Sequence, residues 1–232
     1  MKTIIWSYSS MKNFQGCPRR YHEVNVLKNY PFIETPQTIY GKEVHSAIED
    51  YFVNGVVLPN EHQKFSKTIE MVSRINGEKH CELRLAVNRD QDPCEFFDEN
   101  AWVRGIVDLL IISEDGMKAI IIDWKTGSNR YPDNQQLELM FLLVRSKYPN
   151  IRYFDCYLVF LAHGVRTHSI YTIRDTGDCW DYWESQYQFL SDAFEANTFQ
   201  PKPSVLCGWC PVETCKFQKS RKPITSKKAA KA

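Results

Sequence analysis

The sequence predicts an α/β protein with one central mixed sheet and helices packed around it. Two observations carry this. Along 232 residues, segments with helical apolar spacing and short strand-like apolar runs follow one another as helices, three strands, a helix, two strands and a helix. Two of the runs, Ile106–Ile112 and Ala119–Ile122, are almost continuously apolar, as strands buried on both faces are. With 43% apolar and 25% charged residues, the composition is that of an ordinary globular domain.

Residues 7–24 read as two short helices broken at Gly16-Cys17-Pro18, with Pro18 suited to a first helical turn. A loop with Pro31 and Pro36 follows. From Thr38 to Val53, Ile39, Val44, Ala47, Ile48, Tyr51 and Phe52 keep a helical period, closed by Asn54-Gly55. Residues 60–75 form a second amphipathic helix. Cys81–Val87 reads as a strand, and Asn88–Asn100 as a polar loop. Two strands then flank Asp115-Gly116, a favoured type I′ hairpin turn. Residues 134–147 are a helix, 153–161 and 166–173 are strands, and 178–196 an aromatic helix. The expected organisation is a single domain over 1–219. Residues 1–24 and 197–219 form a cysteine module, and 220–232 a disordered basic tail.

Net charge is only +1, but residues 201–232 carry eight Lys and Arg against Glu213 alone. Contact with a polyanion would therefore be local. No apolar run approaches the roughly 18 residues that cross a bilayer, and the N-terminus lacks a secretory h-region. A soluble, cytoplasmic protein without membrane contact is expected.

The chemistry centres on the hairpin. With Asp115 and Gly116 at the turn, Glu114 faces Met117, and Asp108 falls opposite Asp123. Alternation along the strand puts Lys125 on the same face as Asp123. Like charges directly opposed are destabilising, and a buried carboxylate needs a partner or a metal. Two such carboxylates suit Mg²⁺ or Mn²⁺, hard ions that prefer oxygen. A lysine beside them can stabilise charge developing on phosphorus.

Eight cysteines without a signal peptide do not read as a disulfide framework. Cys207-x2-Cys210-x4-Cys215 has the spacing of a zinc or iron–sulfur site, with three ligands where four are needed.

Five pieces, in order, resemble the RecB-like branch of the PD-(D/E)xK nucleases, which includes CRISPR-adaptation and AddB-type nucleases. They are SYSSMKNFQGCPRRY, GKEVHSAIE, GIVD, IIIDWKTG and QLELM. The resemblance implies a restriction-endonuclease-like core and a metal site of His45, Asp108, Asp123 and the Trp124 main-chain carbonyl. It also implies Lys125 as the catalytic lysine and Gln136 as a positioning residue. Met140 stands where the family pattern has tyrosine. Cys17 is implied as the fourth ligand, with Cys207, Cys210 and Cys215, of a [4Fe–4S] cluster; zinc is the alternative.

Arg19, Arg20, Tyr21 and Trp209 flank the cysteines and are candidate DNA contacts, basic groups for phosphates and aromatics for unpaired bases. The expected activity is a Mg²⁺- or Mn²⁺-dependent deoxyribonuclease, an exonuclease on single strands or DNA ends. The competing reading is a non-catalytic DNA-end-binding adaptor. No G-x-x-x-x-G-K-[ST] loop occurs in the sequence, so a helicase or a recombination or spacer-acquisition motor would be a partner.

Overall fold

The structure, a computed structural model, describes residues 4–30, 34–128, 130 and 132–219. The expected basic tail lies outside the described residues. Two compact units are present, one of Met1–Tyr8 with Glu34–Gln186, the other of Ser9–Ile33 with Tyr187–Ala232.

The first unit contains a seven-stranded mixed sheet. Its strands are β1 (Trp6–Ser7), β2 (Glu78–Val87), β3 (Pro93–Cys94), β4 (Val103–Ile112), β5 (Lys118–Lys125), β6 (Tyr153–Phe160) and β7 (Val165–Thr172). The order is β3-β2-β4-β5-β6-β7, and β1 pairs with β4. Hairpins and short loops give antiparallel pairs at β2–β4, β4–β5 and β6–β7. β5 and β6 run parallel, because a helix connects them and returns the chain to the same end of the sheet.

The short strands β1 and β3 escaped the sequence reading, since two-residue pairings carry no periodic signal. β2 begins three residues before the expected Cys81, because Glu78–His80 pair with Ile112–Leu110 of β4.

The first unit holds α3 (Pro36–Asn54), α4 (Ser66–Ser73), α5 (Gln135–Lys147) and most of α6 (Thr176–Glu195). α1 (Tyr8–Gly16), all but its first residue, and α2 (Pro18–Tyr21) lie in the second. The expected break at Cys17 between α1 and α2 is present, and Cys17 is extended there. Helix α3 starts two residues early, since the Thr35 side chain accepts the Thr38 N–H and Pro36 fits the first turn. Gly55 ends it at φ 67°, a conformation glycine adopts without strain. The first six residues of the expected 60–75 helix form 3₁₀ turns, Asn60–Phe65.

Val44 and Ile48 of α3 and Ile69 and Val72 of α4 pack with Leu109, Ile111, Ile122 and Trp124 of the sheet. α5 covers the opposite face, where Phe141 meets Phe154 edge-on at 4.8 Å. Each buried side chain of this size contributes about 1.5–3 kcal/mol, so these layers outweigh the cost of the few charges they enclose. Trp6 and Trp102 of the same unit are fully buried and edge-on at 5.7 Å.

The β4–β5 register matches the expectation, but the turn does not. Leu109 pairs with Ile122 and Ile112 with Ala119, which continues to Asp108 opposite Asp123. Among the described residues, positive φ at non-glycine positions occurs at Lys28, Glu82, Gln91 and Asn197, not at Asp115; a type I′ turn requires it at both central residues. Instead the Gly116 N–H donates to the Ser113 carbonyl at 2.8 Å, and Gly116 alone is left-handed at φ 67°. The loop widens symmetrically, so the register survives.

Candidate functional site

All parts of this site belong to the first unit. β5 enters the core with Trp124 directed into the α3/α4 layer. Asp123 and Lys125, on either side of it, therefore face α5. Asp123 is 3% exposed. Gln136, on the first turn of α5, donates from Nε2 to Asp123 Oδ1 at 2.6 Å. Its Oε1 accepts from Lys125 Nζ at 2.8 Å. Lys125 Nζ also sits 2.6 Å from Asp123 Oδ2, so one amide fixes both ends of the Asp–Lys pair.

Asp108 occupies the level where the β4–β5 ladder opens. Its Oδ2 accepts the Trp124 N–H at 2.7 Å, in place of a strand carbonyl. The β2 residue opposite Asp108 is Glu82, omitted from the regular pairing between Cys81 and Leu83. Glu82 has φ 46°, a strained conformation for a residue with a Cβ. Alternation breaks at this level. Leu109 joins the α3/α4 layer, whereas a Cβ on Gly105 would meet Leu143 of α5. Residues four apart on a regular strand would share a face.

His45 arrives from α3. A Cβ at Gly41 would lie 3.3 Å from Thr126 Oγ1, so a glycine lets this turn of α3 approach the end of β5. One turn on, His45 Nε2 is 2.9 Å from the Trp124 carbonyl oxygen. A carbonyl only accepts, so Nε2 carries the proton. His45 Nδ1 faces Asp108 Oδ2 at 3.5 Å and Glu82 Oε1 at 3.8 Å.

The electrostatics follow from this packing. Burial, then the neighbouring Asp123 charge, pushes the Asp108 carboxyl up to about 8. Burial raises Asp123 as well, against the opposing pull of Lys125. For His45, burial works against the charged form, but Glu82 and the two aspartates prevail and raise it to about 9. Effective desolvation costs several kcal/mol per ion; holding a proton costs the aspartates less.

His45, Glu82 and Asp108 offer ligand atoms that all lie within 4.8 Å of one another. With Asp123 and the Trp124 carbonyl nearby, the donor set is oxygen-rich with one imidazole, and fits a divalent ion such as Mg²⁺ or Mn²⁺. The sequence reading missed Glu82, which looks like any charged residue in a strand; only its pairing partner marks it. Tyr8 belongs to this unit, half-buried, its hydroxyl pKa raised by burial, by Asp133 and by Asp123. Tyr182 accepts a hydrogen bond from Gln135 Nε2, next to Gln136. Met140 is buried in the α5 layer.

In the second unit, Cys17, Cys207, Cys210 and Cys215 line one cavity of about 20 Å³. The Lys202 N–H points at Cys17 Sγ at 3.4 Å, and the Ser204 N–H at Cys207 Sγ at 3.3 Å. Among the described residues, no three cysteine sulfurs lie within 4.8 Å of one another.

Two of the four candidate DNA contacts are engaged within the unit. Arg19 is 2.9 Å from the buried Glu23, and Tyr21 is buried edge-on against Phe14. The Tyr21 ring is enclosed by its neighbours, whereas the Arg19 side chain stays partly exposed. Arg20 and Trp209 are exposed.

Among the described residues, no helix is long and apolar enough to cross a membrane. No curated protein matches the sequence. In fold, the chain resembles the crystal structure of SSO0001, with TM-score 0.50, 15% identity, and 93% and 87% of the two chains covered. It also resembles the "Putative exonuclease" of Eubacterium rectale, with TM-score 0.55, 14% identity, and 94% and 90% covered. The model of the PD-(D/E)XK nuclease superfamily matches residues 5–215, a span that includes the D…D-x-K strands and all four cavity cysteines. The chain belongs to the PD-(D/E)XK nuclease superfamily.

Proposed function

We propose that the chain is a metal-dependent deoxyribonuclease of the RecB-like branch, cutting phosphodiester bonds as an exonuclease on single strands or DNA ends. The observation that carries this is the Lys125 ammonium, held between Asp123 at 2.6 Å and Gln136 at 2.8 Å. A lysine so fixed is preorganised to stabilise charge on a phosphate rather than free to seek solvent. A Mg²⁺ or Mn²⁺ ion held by Asp108, Asp123, the Trp124 carbonyl and His45 would supply Lewis acidity and lower the pKa of water. Glu82 adds negative charge beside His45. Gln136 keeps Lys125 and Asp123 in register, and burial keeps bulk water from screening them.

The four cysteines are proposed to hold a [4Fe–4S] cluster, supported by their common cavity and the N–H groups aimed at two sulfurs. None of the eight cysteines is in a disulfide, in keeping with the proposed intracellular location. A motor or recombination partner would lie outside this sequence.

The second reading, a DNA-end-binding adaptor, is favoured by Met140 at the family's tyrosine position. Labelled single- and double-stranded DNA, incubated with Mg²⁺, Mn²⁺ or EDTA, separates the two. Cleavage that requires the metal and is lost in Asp108→Ala, Asp123→Ala and Lys125→Ala is the expected result. Binding without cleavage by the wild type would establish the adaptor, and wild-type-like cleavage by Asp123→Ala would sink the proposed site.

A further inference from the structure

We propose that the second unit binds single-stranded DNA in a groove of its own, with Lys12 and Arg20 on the phosphates and Trp209 stacked on a base; the inference rests on the nuclease reading above. The groove is a cavity of about 310 Å³ beside the cysteines, lined by Lys12, Arg20, Lys202, Leu206 and Trp209 among others. Its lining includes three cations and no carboxylate. Such a concavity concentrates anions, and its volume is at the small end of ligand sites, enough for one nucleotide and too little for a duplex.

Local structure fixes each wall. Val205–Trp209 is a 3₁₀ turn, and the Ser204 hydroxyl accepts the Leu206 N–H at 3.2 Å. The Cys210 N–H donates to the Cys207 carbonyl at 3.4 Å and closes the turn. The Trp209 side chain is left 61% exposed and Leu206 67%. A large indole exposed on a cationic groove is unfavourable in water and suited to a planar aromatic ligand. Any base offers that face, which is why stacking is tolerant of sequence.

Arg20 is held against the wall by Asn13, whose Oδ1 accepts from Nη1 at 3.4 Å. Lys202 Nζ donates to the Gln15 carbonyl at 2.9 Å, at the C-terminal end of α1. A cation there complements the helix dipole, and Lys202 with Lys12 and Arg20 makes the lining positive. An acidic peptide would satisfy the cations but offers no planar ring to stack on the exposed indole face.

The test is fluorescence anisotropy of a short labelled oligo(dT) with the full chain in EDTA, over a series of salt concentrations. Trp209→Ala should weaken binding roughly tenfold, and Trp209→Phe should retain most of it. Lys12→Ala and Arg20→Ala should each lower the slope of log affinity against log salt by about 0.7. Visible absorption and metal content show whether the cysteine site is intact in each variant. Wild-type affinity in Trp209→Ala with that site intact overturns the proposal. Displacement of oligo(dT) by poly-glutamate as effectively as by unlabelled oligo(dT) also overturns it. The nuclease reading is tested separately, by hydrolysis of bis(p-nitrophenyl) phosphate by the wild type with Mn²⁺. If that reading fails, groove-dependent binding of oligo(dT) still stands.

Discussion

His45 Nε2 lies 2.9 Å from the Trp124 carbonyl oxygen, across 79 residues of sequence. The two groups are implied ligands of one ion, yet here the imidazole donates to the carbonyl. Nδ1 is the ring nitrogen that faces Asp108 and Glu82, and with its pKa raised to about 9 the ring holds a second proton at neutral pH, so metal binding there would be coupled to proton release.

The first consequence is a pH dependence. Asp108 moves from an ordinary 3.8 to about 8, and His45 from 6.5 to about 9. Both pKa values are raised, so the folded state binds more protons than the unfolded one. Stability in chelator should be greatest at low pH and fall as pH rises through 4–9. Added Mn²⁺ should stabilise most at the alkaline end. Thermal melts at several pH values, with EDTA or Mn²⁺, test this; a melting temperature that rises with pH in EDTA would contradict it.

Gln136 bridges Asp123 and Lys125 without being a proposed ligand. Gln136→Ala should therefore lower the cleavage rate about 10–100-fold, the range for partners that orient metal ligands. Gln136→Glu should be worse, since it sets a further carboxylate directly against Asp123. Single-turnover cleavage at saturating Mn²⁺ measures both, and a rate equal to wild type for Gln136→Ala would show the bridge to be incidental.

Glu82 combines a ligand-like position with φ 46°. Both Glu82→Ala and Glu82→Gly should weaken Mn²⁺ binding, measured by titration calorimetry. Glu82→Gly should be the more stable by about 1 kcal/mol in denaturant unfolding, because glycine adopts this conformation without a Cβ penalty. Equal stability of the two would mean the strain is relieved elsewhere.

The cysteine cavity predicts a brown, anaerobically purified protein whose broad visible absorption disappears in Cys210→Ser. Loss of the group should destabilise the second unit, seen as faster proteolysis of its segments. A colourless, zinc-containing protein would replace the cluster with zinc and leave the nuclease site untouched.

Much of the sheet was legible because buried strands need apolar runs and packed helices need apolar stripes. Ala119–Ile122 could be little else than a central strand, and Val44 and Ile48 mark the buried side of α3. The Asp108–Asp123 register was legible too, since it depends on counting from the turn. The turn type was not, because Asp115-Gly116 fits both a two-residue turn and the wider loop that forms. Arg19 and Tyr21 looked like Arg20 and Trp209 in sequence; only the ion pair of Arg19 with Glu23 and the burial of Tyr21 against Phe14 separated them.

By itself, the sequence determined the strands, the helices and the D…D-x-K order, because these are local patterns of polarity and spacing. The tertiary structure decided which groups meet. Glu82 joins His45 and Asp108 because β2 pairs with β4 and breaks its alternation at that level. Gln136 joins Asp123 and Lys125 because α5 packs on the face opposite Trp124. Such meetings depend on the packing of distant segments, which no local pattern encodes.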